Sequence, residues 1–181
     1  MQKHIYNDYI RPIFTTKQVY YLSNSFTGDP VYDALVKMKA SRPKQPDDWR
    51  TPKDFYDKLN KRFNFDFDPC PFQHDMSWNG LSVDWGKVNF VNPPYSKKLK
   101  EAFVKKAILE SRKGKVCVLL IPVSTGTKLF HNVILPEQPK IEFIKGRLRF
   151  EGYNNRGQFC NQPSMRDSML VIFGYSNLSL Q

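Results

Sequence analysis

An α/β fold, with a sheet whose core is parallel, is what the sequence predicts from three observations. From Trp49 onward, apolar segments of strand length alternate with segments of helical period. Residues 116–121 form a continuous aliphatic run, the pattern of a strand covered on both faces. Residues 87–92 form a second strand-like segment, stopped by Pro93 and Pro94, which remove two successive N–H donors.

Residues 1–48 are aromatic and polar and read as an N-terminal arm that ends in the proline-containing loop 41–48. Within the arm, residues 29–40 are expected to form a short helix after Gly28, with Pro30 at its first position. A second domain then occupies residues 49–181. Thr51 is expected to cap a helix that has Pro52 at its first position and places Phe55, Leu59 and Phe63 on one face. Residues 63–68 alternate apolar and polar as a strand would, ending at Pro69. The strand 87–92 is followed by a helix over 99–112, whose apolar face is Phe103, Val104, Ala107 and Ile108, with Gly114 as its stop signal. Strands over 116–121, 141–144 and 168–173 complete the sheet. No internal repeat is evident.

Composition narrows the function classes. The chain has 181 residues, 28 of them Lys or Arg and 17 Asp or Glu, for a net charge of +11, and 40% are hydrophobic. That apolar content supports a packed core and excludes a disordered chain. The first residues lack the apolar stretch of a signal peptide, and no run approaches the roughly 20 residues that span a bilayer, so a cytoplasmic location and no membrane partner are expected. Cys70, Cys117 and Cys160 are odd in number and widely spaced, which argues against a disulfide framework or structural zinc. A pI near 9.6 points to a polyanionic partner, with nucleic acid foremost, although excess lysine also serves solubility.

The segment that carries chemistry is Asn92-Pro93-Pro94-Tyr95, at the carboxyl end of an expected strand, where open α/β sheets place their ligands. The prolines stiffen the loop, and Pro93 biases Asn92 toward extended backbone. Asn92 then offers a side-chain oxygen and Pro93 a carbonyl, two acceptors that can converge on one amino group. Such a pair suits methylation of an exocyclic base amine, because accepting its two N–H groups favours a pyramidal nitrogen and restores its lone pair. Tyr95 supplies a ring on which the extruded base can stack. No metal is required by this chemistry.

In order along the chain stand Trp49-Arg50-Thr51-Pro52, Phe65-Asp66-Phe67-Asp68-Pro69-Cys70, Leu81-Ser82-Val83-Asp84-Trp85, Asn92-Pro93-Pro94-Tyr95, Val118 to Pro122, Gly146 to Phe150, and Ser168 to Phe173. This series resembles the phage-type DNA adenine N6-methyltransferase (Dam-like) family. The resemblance implies a Rossmann-like sheet with helices on both faces, S-adenosyl-L-methionine as cofactor and DNA as partner. It also implies that Thr51 and Pro52 approach the methionine end of the cofactor. Asp68, Pro69 and Cys70 would form the cofactor loop, with the Asp68 carboxylate meeting the cationic part. Asp84 and Trp85 would meet the adenine of the cofactor, and Asn92 would border both ligands. The chain departs from the family pattern in having no GxG after the first strand. It also lacks an evident acidic residue for the ribose, for which Asp66 and Asp75 are the available substitutes. Cys70 and His74 have a metal-compatible spacing but no further ligands nearby. Related loops act on RNA bases or protein glutamine, and a non-catalytic nucleic-acid-binding homologue is a third possibility.

For DNA contact, Lys97 and Lys98 follow the catalytic loop, while Arg147 and Arg149 are placed to hold phosphates. Residues 151–167 are expected to form a recognition loop in which Asn155 and Arg156 reach base edges. The alternatives are a plain polar hairpin at this position and recognition by the arm.

Overall fold

The computed structural model describes residues 49–72, 74, 77–153 and 158–176. The helix expected over 29–40 lies outside them. The chain divides into two units: residues 1–45 with 74–78, and residues 46–73 with 79–181. Every element below belongs to the second unit, a mixed α/β arrangement of two sheets.

The elements in chain order are β1 (Trp49–Arg50), α1 (Lys53–Phe63), β2 (Val88–Val91), α2 (Lys97–Ser111), β3 (Val116–Pro122), β4 (Lys140–Phe143), β5 (Arg149–Tyr153), β6 (Phe159–Pro163) and β7 (Ser168–Phe173). A π-helical turn, Phe130–Ile134, and a 3-10 turn, Leu135–Glu137, join β3 to β4. One sheet has the order β2-β3-β7-β4, the other β1-β5-β6.

The expectation of a parallel core needs correction. β2 and β3 are parallel, with Val88 opposite Val116, but β7 runs antiparallel to both β3 and β4. A strand that is to run parallel to its predecessor needs a long crossover, usually helical, to carry the chain back. Between β4 and β7 the chain makes the β5–β6 hairpin instead. β7 begins beside the end of β3, where the Val123 N–H donates to Asp167 O at 2.8 Å, and so must run back.

The strand expected over 63–68 is also shorter than its alternation suggests. Phe63 is buried as the last residue of α1, and Asn64 ends the helix in the left-handed region at φ 54°. Only Phe67 then bridges, in parallel, to Asn89. Thr51 does not cap α1, whose N-cap position is Pro52 with no side-chain bond. α2 starts two residues before the expected Leu99, and Gly114 lies beyond its end at φ 86°.

Side-chain alternation along the strands sorts the core into two clusters. Val88, Phe90, Val118, Leu120, Leu170 and Ile172 pack with Leu59 and Phe63 of α1. Val91, Leu119, Ile121, Val171 and Phe173 pack with Phe103, Val104, Ala107 and Ile108 of α2. Part of the basic surface is consumed by the fold: Lys106, Lys113 and Lys115 converge on the fully buried Glu110 carboxylate. Burial opposes its ionisation, but hydrogen bonds from Lys115, Lys106 and Lys113 prevail and hold its pKa down to about 2.

Candidate active site

β2 delivers Asn92 to the carboxyl end of the sheet, and Pro93, itself buried, stops the strand there. Asn92 is held on both ends of its amide. Its Nδ2 donates to Trp49 O at 2.8 Å and to Thr51 Oγ1 at 3.2 Å, so both amide hydrogens are engaged. Its Oδ1 accepts from the Tyr95 hydroxyl at 3.0 Å and retains a second lone pair. The Tyr95 ring meets the ring of Phe150 edge-on, with centroids 6.1 Å apart.

Thr51, Asp68, Cys70 and Asn92 line one cleft of about 280 Å³. These four were expected from the sequence to serve the cofactor, and the fold brings them together from β1, from the segment after α1 and from the end of β2. Tyr56, Phe72, Arg50 and Lys53 line it as well and were not foreseen. Tyr56 is one turn into α1, so its place follows from the helix once that is known. Phe72 lies in a proline-flanked loop and carries no sequence signal. The Arg50 guanidinium sits over the Phe72 ring at 4.7 Å and 3.5 Å from Glu151.

Asp68 Oδ1 accepts from the Cys70 N–H at 2.7 Å, a local turn that shapes the loop. Burial pushes its pKa up to about 6, against the opposing effect of that N–H. It makes no ion pair with a basic side chain among the described residues. Burial, followed by the charge of Asp68, also raises the pKa of Tyr56. Pro69 is fixed from behind: a Cβ on Gly80 would lie 1.9 Å from Pro69 O, so only glycine permits this approach.

The remaining candidates are placed elsewhere. Trp85 is buried in the core, stacked on Phe103, and its indole N–H donates to Gly80 O at 2.8 Å. It thus bonds the same Gly80 that packs against Pro69. Asp84 is exposed, and neither it nor Pro52 or Pro69 lines the cleft. Asp66, a candidate for the ribose, uses its carboxylate to accept from the N–H groups of Lys87 and Val88, both at 3.0 Å, which pins residue 66 to the start of β2. Asp75, Asn155 and Arg156 lie outside the described residues. Among those described, no three His, Cys, Asp or Glu side chains group to hold a metal, and no helix is long and apolar enough to cross a membrane.

Residues 151–167, expected as a loop, contain most of the β5–β6 hairpin, in which Glu151 pairs with Asn161 and Tyr153 with Phe159. The misreading has a clear source. The inward positions Phe150 and Gly152 alternate with Arg149, Glu151 and Tyr153, and the small Gly152 hides the period. Arg149 is tied to Asn161, and Arg147 lies 3.9 Å from Asp167; both arginines are exposed, as are Lys97 and Lys98.

No curated protein and no solved structure matches the chain. A family model described as DNA N-6-adenine-methyltransferase (Dam) matches residues 39–177. With the match covering most of its length, the chain belongs to the DNA N-6-adenine-methyltransferase (Dam) family and methylates N6 of adenine in DNA.

Proposed function

We propose that the methyl donor is S-adenosyl-L-methionine, held in the cleft beside Asp68, and that residues 92–95 receive the target adenine at the edge of that cleft. The observation that carries this reading is that Asn92 lines the same cleft as Thr51, Asp68 and Cys70. The site suits the donor chemically. A half-buried carboxylate with no basic partner among the described residues is costly unless a cation compensates it, and Tyr56 and Phe72 add ring surface nearby. When bound, the donor supplies a methyl group on a sulfonium. Asp68 offsets the positive charge, and Cys70 borders the ligand.

At the target, Asn92 Oδ1 and the Pro93 carbonyl accept from the adenine amine and hold its nitrogen with the lone pair directed into the cleft. As the nitrogen forms its bond to the methyl carbon, the carbon–sulfur bond of the donor would break with its electron pair left on a neutral thioether, and the nitrogen loses one proton, which passes to water. Tyr95 stacks on the base. Around this centre we infer a Rossmann-like sheet, supported by the separate clusters that α1 and α2 form with alternate strand residues. Asn155 and Arg156, between the two hairpin strands, would read bases, while Arg147, Arg149, Lys97 and Lys98 would hold phosphates. The surface contacts of Arg147 and Arg149 are weak enough to exchange for DNA. A DNA substrate supports the cytoplasm as the location.

Transfer of tritium from methyl-labelled S-adenosyl-L-methionine, in buffer with EDTA, should place label in DNA as N6-methyladenine and not in RNA or protein. Absence of transfer from this donor, or its abolition by EDTA, would refute the reading. Tyr95→Ala should lower the turnover of that reaction by ~10²-fold, an effect comparable with losing a transition-state contact. Tyr95→Phe keeps the ring but removes the donor to Asn92, so a loss of roughly tenfold is expected. If the Phe variant is as inactive as the Ala variant, the stacking role is wrong.

A further inference from the structure

We propose that Thr51 is a positioning residue for methyl transfer, acting on Asn92 rather than on the methyl donor. The inference rests on the reading of Asn92 given above. Thr51 is buried, and its hydroxyl accepts one amide hydrogen of Asn92 while Trp49 O takes the other. An amide whose two N–H groups are both engaged on one side must present its oxygen on the other. Rotating it would bring the oxygen against Trp49 O, a carbonyl that can only accept, whereas the Thr51 hydroxyl could turn and donate. The first contact is repulsive and leaves an amide hydrogen without its partner. Trp49 O therefore selects the orientation in which Oδ1 faces Tyr95, and Thr51 Oγ1, as the second anchor, fixes the plane of the amide.

The clamp is itself held by the three-stranded sheet. Trp49 and Arg50 pair with Gly152 and Glu151 of β5, and Phe150 of the same strand touches Tyr95. Both side chains of the catalytic loop that act on the base thus lean on elements built around β5. This gives the small sheet a role in orientation as well as in carrying the hairpin.

A donor-contact role and a positioning role for Thr51 separate in kinetics. Thr51→Val keeps the shape and removes one of the two anchors, so the Asn92 amide is held by Trp49 O alone and its plane is freed while the cleft keeps its volume. With tritiated S-adenosyl-L-methionine and undermethylated genomic DNA, single-turnover methyl transfer should fall about tenfold. The dissociation constant for the donor, by calorimetry, should stay within twofold, and Thr51→Ser should restore the rate. Weakened donor binding with an unchanged rate at saturation would overturn the proposal and return Thr51 to the donor site. An unchanged rate and affinity would overturn it as well. Should Thr51→Val melt below the assay temperature, Thr51→Ser and Thr51→Ala decide: a rate restored by Ser but not Ala supports the clamp, and equal rates refute it. Asn92→Ala measured alongside tells the two levels apart. If that variant is fully active, the reading of Asn92 has failed; if it is inactive while Thr51→Val is normal, only the clamp has.

Discussion

Asn92→Ala is expected to reduce methyl transfer to DNA by ~10²-fold or more, with S-adenosyl-L-methionine affinity within a few fold of the parent. The asymmetry follows from what the side chain does. Its amide hydrogens serve Trp49 and Thr51, so removing them loosens the protein locally, whereas its oxygen is kept for an amine on which charge develops only during transfer. Rapid-quench measurement of a single turnover, paired with calorimetric titration of the donor, checks both halves. Normal turnover in this variant would refute the assigned chemistry. A matched loss in donor affinity would instead make Asn92 a donor ligand.

The second large effect is expected at Asp68, where function and stability should move in opposite directions. Asp68→Asn should weaken donor binding by at least about tenfold, because a charge opposite a cation is lost. The same change should raise the stability of the ligand-free protein at pH 7.5 by about 1–2 kcal/mol. In the folded protein burial lifts the carboxyl from its ordinary 3.8 to about 6. The native state therefore holds its proton after the unfolded chain has released it. Stability consequently falls as pH rises from 3.8 to 6, and the full penalty persists above that window. Asparagine carries no such penalty. Donor binding has the opposite dependence: a cation favours the carboxylate, so affinity should decline as pH drops below about 6. Thermal melts of both proteins from pH 4 to 8, with donor titrations over the same range, give the answer. A parent protein whose donor affinity is flat through pH 6 would remove Asp68 from the site, and a variant no more stable than the parent at pH 7.5 would remove the burial argument.

Several parts of this protein follow from local pattern alone. The amphipathic face of α2, the fully apolar β3 and the proline stop after β2 are each written in consecutive residues, because helical period, strand burial and the loss of N–H donors act over a few positions. The order of motifs around Asn92 to Tyr95 was legible for the same reason, and it led to the right family. Tertiary structure decided the rest. Whether β7 runs parallel or antiparallel depends on where the hairpin returns the chain. Whether Trp85 meets a ligand or the core depends on its stacking with Phe103, on an element further along the chain, and on its bond to Gly80. Thr51, which reads as a helix cap, accepts at its hydroxyl oxygen from the amide of Asn92, 41 residues away. Phe72 and Arg50 join Asp68 in one cleft from separate stretches of the chain. These outcomes are set by which groups converge when the two apolar clusters close on the sheet. A hydroxyl or carboxylate takes the partner that packing brings within hydrogen-bond reach, and no local pattern encodes that partner.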